Sequence, residues 1–335
     1  MSAMKKIGFT RSTMPGETRV ALLPENVRSL RHPERLFFEA GYAVLLGIAD
    51  EEYARLGANL VPKSAMRHMD VICVPRFSPS DRALFQDGMT LWGWPYIEDN
   101  PWCARAVVEQ ALTVVDFHFM YRDGEFVFRE NSRIAGRLGI MHAMVMGRPP
   151  ERFGKVAVLG KGYLGSGAME ALDGLRVPYR AFDRSNSHGF LRSVQDFDTI
   201  VNCIKWYEEG FFITREHIAR MKEGAFIIDL STEGIEDGVP QRAHAPVCRN
   251  GHVLKYSNDH IPAMWPALAS AQISKALCPY VDKIVKGCPD PVLEAATVAT
   301  AGKANAATGK LARMALERAS SSHLETAPWT AAQSL

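Results

Sequence analysis

One stretch limits what this chain can fold into: Lys155 to Asp183, KVAVLGKGYLGSGAMEALDGLRVPYRAFD. A short apolar strand, Val156 to Leu159, runs straight into Gly160, Lys161, Gly162, Tyr163, Leu164 and Gly165, then into a helical stretch, a second strand and an acid. Three glycines so spaced, after a strand and before a helix, form a dinucleotide-binding turn. Gly160 permits the tight turn, Gly162 lets the backbone approach a pyrophosphate, and Gly165 lets helix and strand pack closely. The helix N-terminus, with Tyr163 and Leu164 in its first turn, presents N–H groups and the positive end of its dipole to the phosphates. Asp183, 18 residues after Gly165, stands where a carboxylate accepts a ribose hydroxyl.

Composition removes other classes. A formal net charge of +2 shows no basic or acidic excess, so neither nucleic acid nor a membrane is expected as a partner. The start, MSAMKKIGFT, lacks a signal peptide's apolar segment, and no run approaches the ~20 apolar residues of a span, so a cytoplasmic protein is expected. Cys73, Cys103, Cys203, Cys248, Cys278 and Cys288 contain no C-x-x-C pair and read as reduced, mostly core thiols. His118, on an aromatic strand, and His142 show no ligand spacing; no metal and no role are assigned.

The remaining pattern alternates. Apolar bursts at 5–9, 36–39, 71–74, 90–94 and 113–119 are separated by a loop, MPGETRVALLP, and helical stretches near 25, 51–56, 82–85 and 102–111. Alternation of this kind implies a parallel sheet covered on both faces. Asp123-Gly124 suits a hairpin turn, and a helix is expected from about 131 to 146. After the dinucleotide turn come strands at 199–204, 225–230 and 253–256, a helix at 214–221, one from about 268 to 285, and a last alanine-rich helix from about 293 to 318 before a disordered tail from Ser320. The fold class expected is α/β, two Rossmann-like doubly wound domains with a cleft between them. Residues 1–130 plus 283–335 form the substrate domain and 131–282 the dinucleotide-binding domain.

ETRVALLP at 17–24, the helix around AGRLG, the mid-chain glycine turn, DLSTEG at 229–234 and NDHIPAMWP at 258–266 together resemble the alanine dehydrogenase and saccharopine dehydrogenase superfamily. NDHIPA with SAQISKALCPYV at 270–281 is most similar to its opine-forming N-(carboxyethyl)ornithine synthase branch. The resemblance implies a reductase that joins an α-keto acid to an amino acid's amine through an imine, takes hydride from a nicotinamide, and assembles as a homo-oligomer. Arg19 matches the family's carboxylate-binding arginine, whose bidentate grip holds the reacting carbon. Ser132 matches a position near the nicotinamide, and Cys203 and Ile204 are expected along its ribose.

The chain departs from the family where protons are handled. The usual lysine is replaced by Pro75 and Arg76, and the usual histidine by Tyr96. Three replacements stand open: Tyr96 with its pKa lowered by a cation such as Arg76, Glu233 at the family's aspartate position, and His260 after Asp259. Tyr96 also reads as a packed strand residue alternating with Trp92 and Trp94. Asp183 favours NAD(H) over NADP(H), although Arg184 and Ser185 form a pair that could hold a 2′-phosphate. Two further readings are an alanine dehydrogenase-like enzyme using ammonia, and an NAD(P)-binding sensor or partner without turnover.

Overall fold

The structure is a computed structural model describing residues 4–205, 210–231, 234–236, 246–258, 260–306 and 308–321. The chain forms two units, one running to Val127 and resuming at Ile273, the other Phe128–Gln272. The first contains β1 (Ile7–Phe9), α1 (Pro24–Val27), β2 (Leu36–Glu39), α2 (Asp50–Ala54), β3 (Asn59–Val61), β4 (Val71–Arg76), β5 (Thr90–Trp94), α3 (Pro101–Glu109), β6 (Thr113–Asp116) and the hairpin β7 (Tyr121–Arg122) and β8 (Glu125–Phe126). Val71, Ile72, Cys73 and Val74 are wholly buried, as strands covered on both faces must be. The strands β3-β2-β1-β4-β5-β6 are parallel neighbours in that order. Chain order therefore reverses between β1 and β4, where an open α/β sheet takes its ligands beyond the strands' carboxyl ends.

The second unit opens with α4 (Arg129–Met146). It continues with β9 (Val156–Leu159), α5 (Tyr163–Gly174), β10 (Tyr179–Phe182), α6 (Ser187–Arg192), β11 (Thr199–Asn202), α7 (Arg215–Ala219), β12 (Phe226–Asp229), β13 (Val247–Asn250) and β14 (Val253–Ser257). Its sheet runs β10-β9-β11-β12-β14-β13, parallel except for β13. The second reversal falls between β9 and β11, beside the glycine turn. α8 (Pro266–Lys286) carries the chain across the boundary at 272 to 273.

The ending differs from the sequence expectation. In place of one helix from 293 to 318, α9 (Pro291–Ala296) stops before β15 (Thr297–Thr300), β16 (Lys303–Ala304) and then α10 (Lys310–Ser321). Asp290 caps α9 by accepting the Val292 and Leu293 N–H groups. Thr297 and Val298 are β-branched, and Ala301-Gly302 turns through φ of +48° and +78°, which no α-helix tolerates. β15 pairs antiparallel with β6, and this long-range pairing overrides the helical propensity of the alanines. β3 and β13, three and four residues long, are edge strands with mixed sequences that periodicity misses. The expected tail from Ser320 lies, beyond Ser321, outside the described residues. Cys73, Cys103 and Cys203 are buried, whereas Cys248 and Cys278 are partly buried and Cys288 exposed.

α4 and α5 touch backbone to backbone. A Cβ on Gly136 would stand 1.9 Å from the Leu164 carbonyl, and one on Gly167 2.0 Å from that of Arg133. Around them Arg133 and Arg137 both reach Glu170, and these bonds hold its carboxyl below the usual range. Gly167→Ala is expected to cost about 1–3 kcal/mol through overpacking. Gly174→Ala, where a Cβ meets nothing within 4 Å, should be neutral or stabilise by about 0.5 kcal/mol. Urea unfolding of both variants checks this.

Candidate active site

The glycine turn is built as its spacing requires. Gly160 leaves β9 at φ +93°, and a Cβ there would lie 2.8 Å from the Cys203 carbonyl. On Gly165 a Cβ would come within 1.9 Å of the Gly160 carbonyl, so α5 is pressed onto the end of β9. On Gly162, just before α5, it would meet nothing within 4 Å. The outer glycines thus close the turn while the middle one faces open space. The open space at Gly162 and the N–H groups at Tyr163 and Leu164 are what a pyrophosphate would need.

Asp183 lies one residue beyond β10. Lys161, the second residue of the turn, sets its Nζ 2.8 Å from one carboxylate oxygen. The other accepts the Ser185 N–H at 2.9 Å and the Ser185 hydroxyl at 2.5 Å. The Lys161 bond, then those from Ser185, hold the carboxyl down to about 2. Arg184 is exposed beside it. Sequence reading passed over Lys161, since its partner lies 22 residues away, just beyond another strand. At the next strand end, the Cys203 N–H donates to the Leu159 carbonyl at 2.8 Å, burial pushes its thiol up, and Ile204 follows partly buried. Asn202 ties β11 to β12 by donating to Asp229 and to Ser231, both at 2.9 Å. Ser132 is partly buried near the start of α4.

In the first unit Arg19 is 6% exposed on the loop after β1. Its Nε and a terminal nitrogen grip the Glu17 carboxylate at 2.8 and 2.5 Å, and the guanidinium carbon sits 5.3 Å from the Trp94 ring centre. Arg19 also lines a cavity of about 350 Å³ with Arg11, Thr13, Glu39, Tyr42 and Lys63. Arg11 pairs with Glu39 at 3.0 Å and Lys63 with Asp81 at 3.2 Å. Burial raises the Glu39 carboxyl, but hydrogen bonds from Thr10 and Arg11 outweigh it and leave it below the usual range.

Pro75 shapes the next group. It has no N–H for the ladder, and β4 bulges against β5 between Val74 and Arg76, which re-aims the following side chain. Arg76 then lies 4.8 Å from the Tyr96 ring centre. Trp92 and Trp94 are core residues, but β5 stops at Trp94. Tyr96 lies beyond, partly exposed, at φ +48°, so it is a turn residue and not the packed strand residue its alternation suggests. Its ring meets His118 edge-on at 4.8 Å, and His118 also faces Trp94 at 6.3 Å. Arg19, Trp94, His118, Tyr96 and Arg76 therefore form one contiguous group. His118 is the member that sequence reading missed: its signal is the Asp-x-His spacing at a strand's carboxyl end. His260 belongs to the second unit, 9% exposed after β14, its N–H donating to Asn258 Oδ1 at 2.9 Å. Glu233 lies outside the described residues.

Comparison with known proteins follows the same lines. The family model described as alanine dehydrogenase/PNT, N-terminal domain, matches residues 8–135, and the one for the C-terminal domain matches 184–313. The chain belongs to the alanine dehydrogenase/PNT family. An N(5)-(carboxyethyl)ornithine synthase of Clostridium botulinum is 27% identical over 82% of this chain and 93% of its own length. The alanine dehydrogenase of Bacillus subtilis is 22% identical over 93% of this chain and 94% of its own. A solved L-alanine dehydrogenase shares the fold with a TM-score of 0.72 at 19% identity, covering 94% of this chain and 99% of that one. This alanine dehydrogenase/PNT family member is a pyridine-nucleotide-dependent oxidoreductase of amino-acid metabolism. Among its described residues no helix is long and apolar enough to cross a membrane.

The three glycines differ in a testable way. Gly162→Val should leave the thermal midpoint nearly unchanged yet weaken reduced-nucleotide binding at least about tenfold, since it fills only ligand space. Gly165→Ala should lower the midpoint itself by forcing α5 off β9. Nucleotide fluorescence titration alongside thermal unfolding separates the two. Because the Asp183 carboxyl is held at about 2, its charge is constant from about pH 5 to 9, and its share of nucleotide preference should fade only as pH falls through that value.

Proposed function

We propose that this protein condenses a small α-keto acid with the amine of an amino acid and reduces the resulting imine, an opine-type synthesis. The observation that carries the reading is the buried Arg19 at the wall of a cavity of about 350 Å³ that also presents Arg11, Lys63 and Glu39. A buried guanidinium suits a keto acid's carboxylate. A cavity of this volume, with charges of both signs, suits a zwitterionic amino acid and is far more than ammonia needs. The similarity to carboxyethylornithine synthases over most of both chains supports the same choice.

In this reading the first unit holds the keto acid at Arg19, with Arg76 adding positive charge nearby. The second unit holds the nucleotide through Gly160, Gly162, Gly165 and Asp183, with Ser132, Cys203 and Ile204 beside it. The bound nicotinamide supplies the hydride. Asp183 favours NAD(H) because its carboxylate accepts a ribose hydroxyl and repels a 2′-phosphate. Lys161 and Arg184 soften that repulsion, so the preference is modest.

The ammonia-using alanine dehydrogenase reading is favoured by the Bacillus subtilis relative. A mass-spectrometric screen of pooled keto acids and amino acids, with each reduced nucleotide, decides between them. Secondary-amine products with amino acids support the proposal; turnover with ammonia alone overturns it. Arg19→Lys keeps a charge for Glu17 but loses the forked grip, so it should raise the keto-acid KM about 10- to 100-fold, from a lost charged hydrogen bond. The KM for nucleotide should stay put.

A further inference from the structure

The geometry points to His118, set by Asp116, as the acid–base group that stands in for the family's missing lysine and histidine in this reaction. The inference rests on the reductase reading above and concerns the same site.

Asp116 ends β6 with 2% of its surface exposed. One of its carboxylate oxygens accepts the His118 backbone N–H at 2.9 Å and lies 3.0 Å from His118 Nδ1. A carboxylate at Nδ1 assigns that nitrogen the proton in the neutral ring and leaves Nε2 as the nitrogen that can take one up. The His118 side chain is 23% exposed, enough for a small substrate to reach it. Trp94 contacts both the His118 ring and the Arg19 guanidinium, so the imidazole stands one ring away from the carboxylate clamp.

Two further observations mark the place. Tyr96, in contact with the imidazole, has a left-handed backbone, which costs a non-glycine residue about 1–3 kcal/mol and is maintained where structure over-determines it. Here its carbonyl accepts the Asp99 and Asn100 N–H groups at 3.1 and 2.9 Å. Asp116 on β6 faces the ring directly, Glu98 and Asp99 on the turn after Tyr96 feel its charge, and Arg76 on β4 lies over Tyr96. Burial of their carboxyls raises Glu98 and Asp99 above the usual range, an effect that His118 partly offsets.

The chemistry needs one shuttle. The amine nitrogen adds to the keto carbon, giving an ammonium-alkoxide. Nε2 takes the proton from nitrogen and returns it to the alkoxide oxygen, which gives the carbinolamine. Reprotonated from solvent, the imidazole gives one proton to the hydroxyl as the C–O bond breaks, and water leaves. The nitrogen lone pair closes the C=N bond. The iminium carbon then accepts the hydride with its two electrons, forming the secondary amine. Per turnover one solvent proton is consumed, one water is released, and the nicotinamide is oxidised.

The test uses the full-length protein with the keto acid, amine and nucleotide that the product screen identifies. His118→Gln, which retains a donor for Asp116, should lower kcat about 10²- to 10⁴-fold. The nucleotide Kd and keto-acid KM should stay within about threefold, and the imidazole limb of the pH profile should disappear. His118→Ala should recover part of its kcat with added imidazole. Asp116→Asn, which disrupts the ring's tautomer, should lose less and shift that limb. Thermal unfolding and nucleotide binding of each variant report on folding. Retention of kcat in His118→Gln, or loss of it with no imidazole rescue of His118→Ala and an unshifted profile in Asp116→Asn, overturns the assignment. A wild-type protein that forms no secondary amine with any pair overturns the reductase reading itself, and the assignment with it.

Discussion

Backbone lying directly on backbone, with no side chain between, is the constraint on which the second unit depends. Gly165 rests on the Gly160 carbonyl, Gly136 on that of Leu164, and Gly167 on that of Arg133. Together these contacts fix α5 from two sides, against β9 and against α4. A methyl group at any of them would meet main-chain atoms, which cannot swing aside as a flexible side chain can. The position of the first turn of α5, and hence of the open space at Gly162, follows from that clamp more than from any polar interaction.

The first unit solves its placement problem with charge and with a ladder defect. Glu17 grips Arg19 from two residues away, so part of what orients the guanidinium is local in the chain. Burying the pair is tolerable because each charge faces its counterpart. The bulge at Pro75 does for Arg76 what Glu17 does for Arg19. One missing N–H in the ladder turns the chain, and the side chain beyond it lands on Tyr96. The same bulge brings the Val74 carbonyl so close to Gly93 that a Cβ there would sit at 2.0 Å, so the glycine of LWGW belongs to the site's architecture as much as the proline does.

Features written in local sequence were legible. The glycine turn between β9 and α5, the hairpin at Asp123-Gly124 and the helix before the turn each depend on residues within a few positions of one another, and the structure has these elements. Features produced by distant partners were not. β15 exists because β6 offers it an edge, and the alanines around it say helix to any local reading. Lys161 meets Asp183 because β10 lies beside β9. Tyr96 could not be separated from its strand-like neighbours, because the alternation of LWGWPY continues past the residue where the ladder stops. His118 looked inert by the criterion of ligand spacing. Its surroundings include Trp94 at the end of another strand and Tyr96 in the turn beyond it, and only the Asp116 partner was close in the chain.

The eight-stranded sheet has a temporal consequence for the cell. β6 is synthesised early, but its partner β15 begins 181 residues after β6 ends. At roughly 5–20 residues per second, that edge waits on the order of ten seconds or more on the ribosome before it is covered. An unpaired strand edge is a template for wrong partners during that interval. The second unit, contiguous in sequence, has all its strands in hand before the first can finish. Nascent chains should therefore pass through a state with the nucleotide-binding fold complete and the substrate-binding sheet still open at one side. Chaperone capture and C-terminal truncation would act first on that sheet.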